Sequence, residues 1–135
     1  ATNYALIELG HPLHPFDAAA IGGSRIIVRK ANKGETLKTL DGLTRKLAVD
    51  DLVIADAGKP IAFAGIMGGE DSGITQATKD VFLESAWFSP SSIRASARRH
   101  MMQTEASYRF ARGTDIDNVP LALKRAVYLI HKFSV

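Results

Sequence analysis

Cysteine is absent from this 135-residue sequence, which excludes a disulfide framework and any thiolate-held metal, and fits a reducing compartment. No apolar run approaches the roughly 20 residues that a membrane helix needs, and Ala1-Thr2-Asn3-Tyr4 lacks the basic start of a secretory leader. A cytoplasmic location without membrane contact is the expectation. An excess of either charge is missing too: 17 Lys and Arg stand against 14 Asp and Glu, so a balance of +3 does not announce nucleic-acid binding. Gly65-Ile66-Met67-Gly68-Gly69 follows an apolar run but lacks the Lys-Ser/Thr of a P-loop and the spacing of a dinucleotide fingerprint. His11 and His14 have no third ligand at recognisable spacing, so no metal site is expected and a hydrogen-bonded structural imidazole is the commoner role for either.

What is present suffices for one folded domain over 1–135, since 46% of the residues are hydrophobic and 23% charged. Tyr4 to Leu9 read as a short helix that Asn3 would cap and Gly10 would end. The prolines at 12 and 15 predict a loop over 11–17. Strands are predicted at Ile26-Ile27-Val28, at 35–40 and 44–49 around the hairpin turn Asp41-Gly42, at 52–55, at 60–66 and at 81–88. The glycine-rich stretch 68–78 reads as a loop. Ser89-Pro90 signals a helix reaching Arg99. From Asp117 onward, Val119, Leu123, Ala126, Val127, Ile130 and Phe133 recur at helical spacing. A short helix, a run of strands and then two helices give an α+β class, with a mixed or antiparallel sheet and flanking helices.

Two features carry chemical interest. Glu84 interrupts an apolar strand, where a carboxylate is costly unless exposed or partnered; it is either an edge-strand charge or an acceptor in a pocket. Arg94, Arg98, Arg99, Arg109 and Arg112 cluster with Glu105 as the one acid between them, which is either a solvated face or a local RNA contact. Thr104-Glu105-Ala106-Ser107 sets hydroxyls among these arginines without a recognisable nucleophilic triad.

An ordered set of segments narrows the choice. Thr2-Asn3-Tyr4, Glu8-Leu9-Gly10, His11-Pro12-Leu13-His14 and Phe16-Asp17 open it. Thr39 to Gly42, Leu52 to Asp56, Gly65 to Glu70, Leu83 to Ala86 and Phe88 continue it. Ala97 to His100, Thr104 to Phe110 and Arg112-Gly113 complete a pattern that resembles the β subunit of bacterial phenylalanyl-tRNA synthetases. The resemblance implies the editing domain of that subunit, which hydrolyses tyrosine wrongly attached to tRNA(Phe). It also implies a longer polypeptide, with part of the domain lying upstream of Ala1, and an (αβ)₂ enzyme whose α subunit uses ATP and Mg²⁺, with no cofactor in the domain itself. By residue, it places the editing pocket on His14, Gly65, Gly68, Glu84, Thr104 and Ala106. His14 and Thr104 would serve catalysis, Glu84 would accept the tyrosine phenol, and Gly65 and Gly68 would bring backbone N–H groups to the ester. Arg98, Arg99, Arg109 and Arg112 are the candidates for RNA contact. His11 departs from the usual Gln, Met101-Met102-Gln103 from Gly-Leu-His, and Ala111 from Glu. Two alternatives stand beside this reading, a freestanding deacylase acting in trans and a non-catalytic RNA-binding or assembly module.

Overall fold

Gly10 takes φ 67°, a left-handed conformation that closes helix α1 (Thr2–Leu9) with its N–H on the Leu6 carbonyl. These coordinates are a computed structural model describing residues 1–133. Asn3, expected as the cap, lies inside the first turn, and Ala1 holds the cap position. The expected loop over 11–17 contains a strand instead, β1 (Leu13–Asp17). Pro15 is tolerated there because β1 pairs along its length with one strand only, β8 (Val81–Ser85), its outer side carrying a single bridge from Phe16 to Gly73. Ala18 N–H donates to Asp80 O, so by alternation Phe16 and His14 direct their donors toward β8 and the missing donor of Pro15 falls on the outer side.

The central sheet orders β2 (Ile27–Lys30), β5 (Leu52–Ala55), β6 (Pro60–Phe63) and β7 (Met67–Gly68), all antiparallel. Every residue of β6 is buried, as its uninterrupted apolar sequence requires. β3 (Thr36–Lys38) and β4 (Thr44–Lys46) form the expected hairpin, whose turn uses Gly42 at φ 80°. The stretch 68–78, expected as a loop, contributes Gly68 to β7 and a short 3-10 turn at Glu70–Ser72. Among the described residues the sheet structure is antiparallel throughout, as one of the two expected forms, but divided into three small sheets within the expected α+β class.

Among the described residues three helices follow the strands where two were expected: α2 (Pro90–Arg99), α3 (Glu105–Arg112) and α4 (Asn118–Phe133). α3 begins on a reciprocal cap in which Thr104 Oγ1 accepts from Ser107 N–H at 3.0 Å and Ser107 Oγ accepts from Thr104 N–H at 2.9 Å. Phe110 of α3 packs edge-on against Phe88 at 5.0 Å in the main core with Phe16, Phe63 and Ile93. Burying one such phenyl ring stabilises the fold by roughly 2–3 kcal/mol. α4 turns Ala122, Ala126 and Leu129 inward, while Leu123, Val127 and Phe133 of the expected stripe stay exposed. Ala126 and Leu129 meet Ala5 of α1, with Leu13 and Leu83 packed against them.

α2 ends in a Schellman motif, with Met102 N–H on Ala97 O at 2.9 Å and Met101 N–H on Arg98 O at 3.2 Å. The left-handed position of this motif belongs to glycine, and here Met101 occupies it at φ 51° with its side chain 93% exposed. Met101→Gly is therefore expected to stabilise the protein by about 1 kcal/mol, because it removes the Cβ strain and forfeits no packing. A thermal melt checks this; an unchanged or lower melting temperature contradicts it.

Candidate functional site

Strand alternation decides which side chains of the β1–β8 ribbon share a face. Leu13 and Leu83 turn toward α1 and α4, and Ser85 Oγ donates to Val119 O at 2.7 Å, anchoring that side. His14 and Glu84, opposite each other in register, take the other face with Phe16 and Phe82. That face fronts a cavity of about 420 Å³ between the ribbon, the β6–β7 turn and the start of α3. The cavity is lined by His14, Gly65, Gly68, Glu84, Thr104 and Ala106 together, with Leu6, Leu40, Phe63, Met67 and Phe110 supplying its apolar walls. Thr2 and Asn3 of α1, Asp41 of the hairpin turn and Glu105 also line it; sequence reasoning had not singled them out as lining.

Glu84 is half-buried and its carboxylate makes no hydrogen bond or ion pair among the described residues. Burial lifts its carboxyl from the usual range to about 7. The ribbon has two edges, so the edge-strand placement of Glu84 holds, yet its carboxyl faces the cavity and not open solvent. His14 stands edge-on to Phe16 at 4.5 Å between ring centres, and burial lowers its pKa, so the ring is neutral near pH 7. Its Nε2 is enclosed without a partner, while Nδ1 is not enclosed and makes no hydrogen bond among the described residues. Nδ1 is thus the nitrogen a ligand can reach.

Each glycine has a steric reason. A Cβ on Gly68 would stand 2.5 Å from His14 Cε1 and 2.6 Å from Nε2, so only glycine lets the imidazole lie against β7. Gly65 takes φ 68°, and a Cβ there would meet Phe88 at 2.7 Å and Ile93 at 2.9 Å; its vacant side faces the core. Thr104 has little hydroxyl capacity left. Its Oγ1 donates to Ile66 O at 2.8 Å while accepting from Ser107 N–H, which pins the N-terminus of α3 to the β6–β7 turn and leaves one lone pair. The backbone N–H groups of Gly65, Glu105 and Ala106 have no acceptor among the described residues. The last two are helix-start donors that the cap leaves free. The Thr104-x-x-Ser107 spacing is a weak sequence signal for them, because Ser107 stands where Glu or Gln is the usual sign of a cap.

The B3/4 domain family model matches residues 1–134. The chain belongs to the B3/4 domain family. It is similar to the phenylalanine–tRNA ligase β subunit of Anaeromyxobacter dehalogenans, at 55% identity over 96% of the chain and 16% of that protein. The same-named subunits of Geobacter metallireducens and Aquifex aeolicus are 53% and 52% identical over 96% and 97% of the chain, and 16% and 17% of their own lengths. The chain thus spans about one sixth of the curated relatives it matches.

This B3/4 domain distributes its arginines unevenly. Arg99 pairs with Asp51, Arg109 with Glu105, and Arg112 stacks over Tyr108, whereas Arg98 makes no hydrogen bond or ion pair among the described residues. None of the four lines the cavity. His11 differs from the expected hydrogen-bonded imidazole. It is fully buried against Phe110, both ring nitrogens lack a partner, and the Ala86 backbone approaches without meeting hydrogen-bond geometry. Among the described residues no group of three or more His, Asp and Glu side chains could hold a metal, and no helix is long and apolar enough to cross a membrane.

Proposed function

We propose that this domain hydrolyses the ester of tyrosine misattached to tRNA(Phe). The observation that carries the reading is the Glu84 carboxyl, unpartnered in a mostly apolar cavity large enough for an aminoacyl group. A tyrosine phenol entering this cavity donates to Glu84. A phenylalanine ring leaves that carboxyl desolvated and unpaired, a penalty of about 1–3 kcal/mol. A synthetic site built around a phenyl ring rejects one added hydroxyl poorly, and a second site that demands the hydroxyl supplies the missing discrimination.

In the reaction, water attacks the ester carbonyl carbon and the bond to the terminal ribose oxygen breaks, releasing tyrosine and the free tRNA hydroxyl. The ester is already activated, so orientation of water does most of what is needed. His14, held neutral by burial, presents Nδ1 to that water. The free N–H groups of Gly65, Glu105 and Ala106 are the donors for the oxyanion as it forms. Thr104 fixes this wall, and Ala106 is small enough to keep it open.

Under this reading the domain serves a β subunit in a cytoplasmic (αβ)₂ phenylalanine–tRNA ligase, whose α subunit uses ATP and Mg²⁺. The names of the relatives support the β-subunit part of that placement. The test is deacylation of Tyr-tRNA(Phe) and Phe-tRNA(Phe) by the intact protein that carries this chain. Tyr-tRNA should be cleaved at least roughly tenfold faster, as one desolvated carboxyl implies. Equal rates contradict the selectivity, and no cleavage of either contradicts the reaction.

A further inference from the structure

α3 has a second face that lines a groove. Thr104, Glu105, Ala106 and Phe110 front the cavity, whereas Ser107, Tyr108, Ala111 and Arg112 join α2 in lining an open groove of about 460 Å³. The charged residues lining this groove are Arg94 and Arg98 from α2 and Arg112 from α3, with no acid among them. Arg94 and Arg98 stand four residues apart on α2, where like charges repel and cost the helix stability unless an anion lies between them. Arg94 spends one N–H on Ala111 O, and Arg98 none of its donors on any described residue. Arg112 lies over Tyr108 with its guanidinium carbon 3.5 Å from the ring centre, and Tyr108 is itself 46% exposed. A guanidinium backed by an aromatic ring presents its outer face as a flat, cationic platform of the kind on which an unstacked base rests.

We propose that this groove binds unpaired RNA, with phosphates held by Arg94 and Arg98 and one base stacked on Arg112 over Tyr108. A paired strand keeps its bases stacked on each other and cannot offer one to the platform. The groove lies across α3 from the cavity, about 10 Å away through the thickness of one helix. An RNA whose acylated end occupies the cavity can therefore lay the preceding nucleotides over α3 into the groove. Identification of that strand rests on the deacylase reading; the binding itself does not. Arg99 and Arg109, engaged with Asp51 and Glu105, are left out of the contact.

The intact protein carrying this chain is titrated with a labelled unpaired oligoribonucleotide, and with the same strand annealed to its complement, over a range of salt. Arg94→Ala and Arg98→Ala should each weaken the unpaired strand roughly fivefold and lower the salt slope by about 0.7. Tyr108→Leu, which keeps an apolar side chain on α3, should weaken it roughly five- to tenfold with the slope unchanged. Lys124→Ala, exposed on α4 and outside the groove, should stay within about twofold of wild type and serves as the control. Arg98 has no hydrogen-bond or ion-pair partner among the described residues, so its variant should fold, and a melt verifies this. Affinity within about twofold of wild type for both arginine variants overturns the proposal, as does equal binding of the annealed strand. Because no ester is present in the titration, failure of the hydrolytic reading leaves this test standing.

Discussion

Asp51→Ala is expected to cost the fold about 3–5 kcal/mol, the range seen when one member of a buried charge cluster is removed and its partners are stranded. Asp51 is wholly buried at the end of the turn that leads into β5. Its carboxylate accepts from Ser96 Oγ at 2.8 Å, from His100 Nε2 at 2.6 Å, from Ala48 N–H at 2.8 Å and from Arg99. These bonds fasten the last turns of α2 to the central sheet, so alanine leaves an imidazole, a hydroxyl and an amide without partners. The melting temperature should fall by roughly 10 °C or more for a domain of this size. Burial alone would raise the Asp51 pKa, but the hydrogen bonds from His100, Ala48 and Ser96 outweigh it and hold the carboxyl below its usual value. A carboxyl lowered in the fold contributes stability above the ordinary Asp range and loses it as pH falls through the folded value. Wild type should therefore lose stability in that acidic window, and Asp51→Asn, lower throughout, should lack this part of the loss. A melt of Asp51→Ala within about 1 °C of wild type would contradict the tether.

The parts of this architecture that the sequence made legible are those decided locally. β5 and β6 follow from continuous apolar runs, the β3–β4 hairpin from Asp41-Gly42, and the start of α2 from Ser89-Pro90. β1 was hidden because two prolines argue against a strand, and only the register with β8, far along the chain, shows the Pro15 nitrogen on the side away from that ladder. α3 was hidden because its cap uses Ser107 where Glu or Gln is the usual signature. The grouping of His14, Glu84 and Thr104 was legible through family resemblance alone, since nothing local brings positions so far apart to one wall. Arg99 could not be sorted from Arg98 by sequence, because its partner Asp51 sits 48 residues away.

Glu84→Ala is expected to produce the largest functional change, a fall of roughly tenfold to a hundredfold in the ratio of Tyr-tRNA to Phe-tRNA deacylation. The size follows from the 1–3 kcal/mol attached to one unpaired buried polar group. Two effects push the ratio the same way: the phenol loses its acceptor, so tyrosine cleavage slows, and the apolar ring no longer strands a carboxyl, so phenylalanine is excluded less. Stability should move in the opposite sense from that of a structural carboxylate. With its folded pKa raised to about 7, Glu84 stays protonated in the fold where the unfolded chain has already ionised. Its contribution is therefore full below the ordinary Glu value and is lost as pH rises through about 7. Above that pH the ionised carboxylate costs the fold on the order of 2–3 kcal/mol. Glu84→Ala should thus melt at or above the wild-type temperature at mildly alkaline pH, whereas a structural carboxylate would melt lower and slow both substrates alike.

The most direct measurement of the central claim is the pair of deacylation rates, for Tyr-tRNA(Phe) and Phe-tRNA(Phe), of the intact protein with and without Glu84→Ala, each accompanied by a thermal melt. The account predicts a ratio falling at least roughly tenfold toward unity with no loss of melting temperature; an unchanged ratio in a folded variant would contradict it.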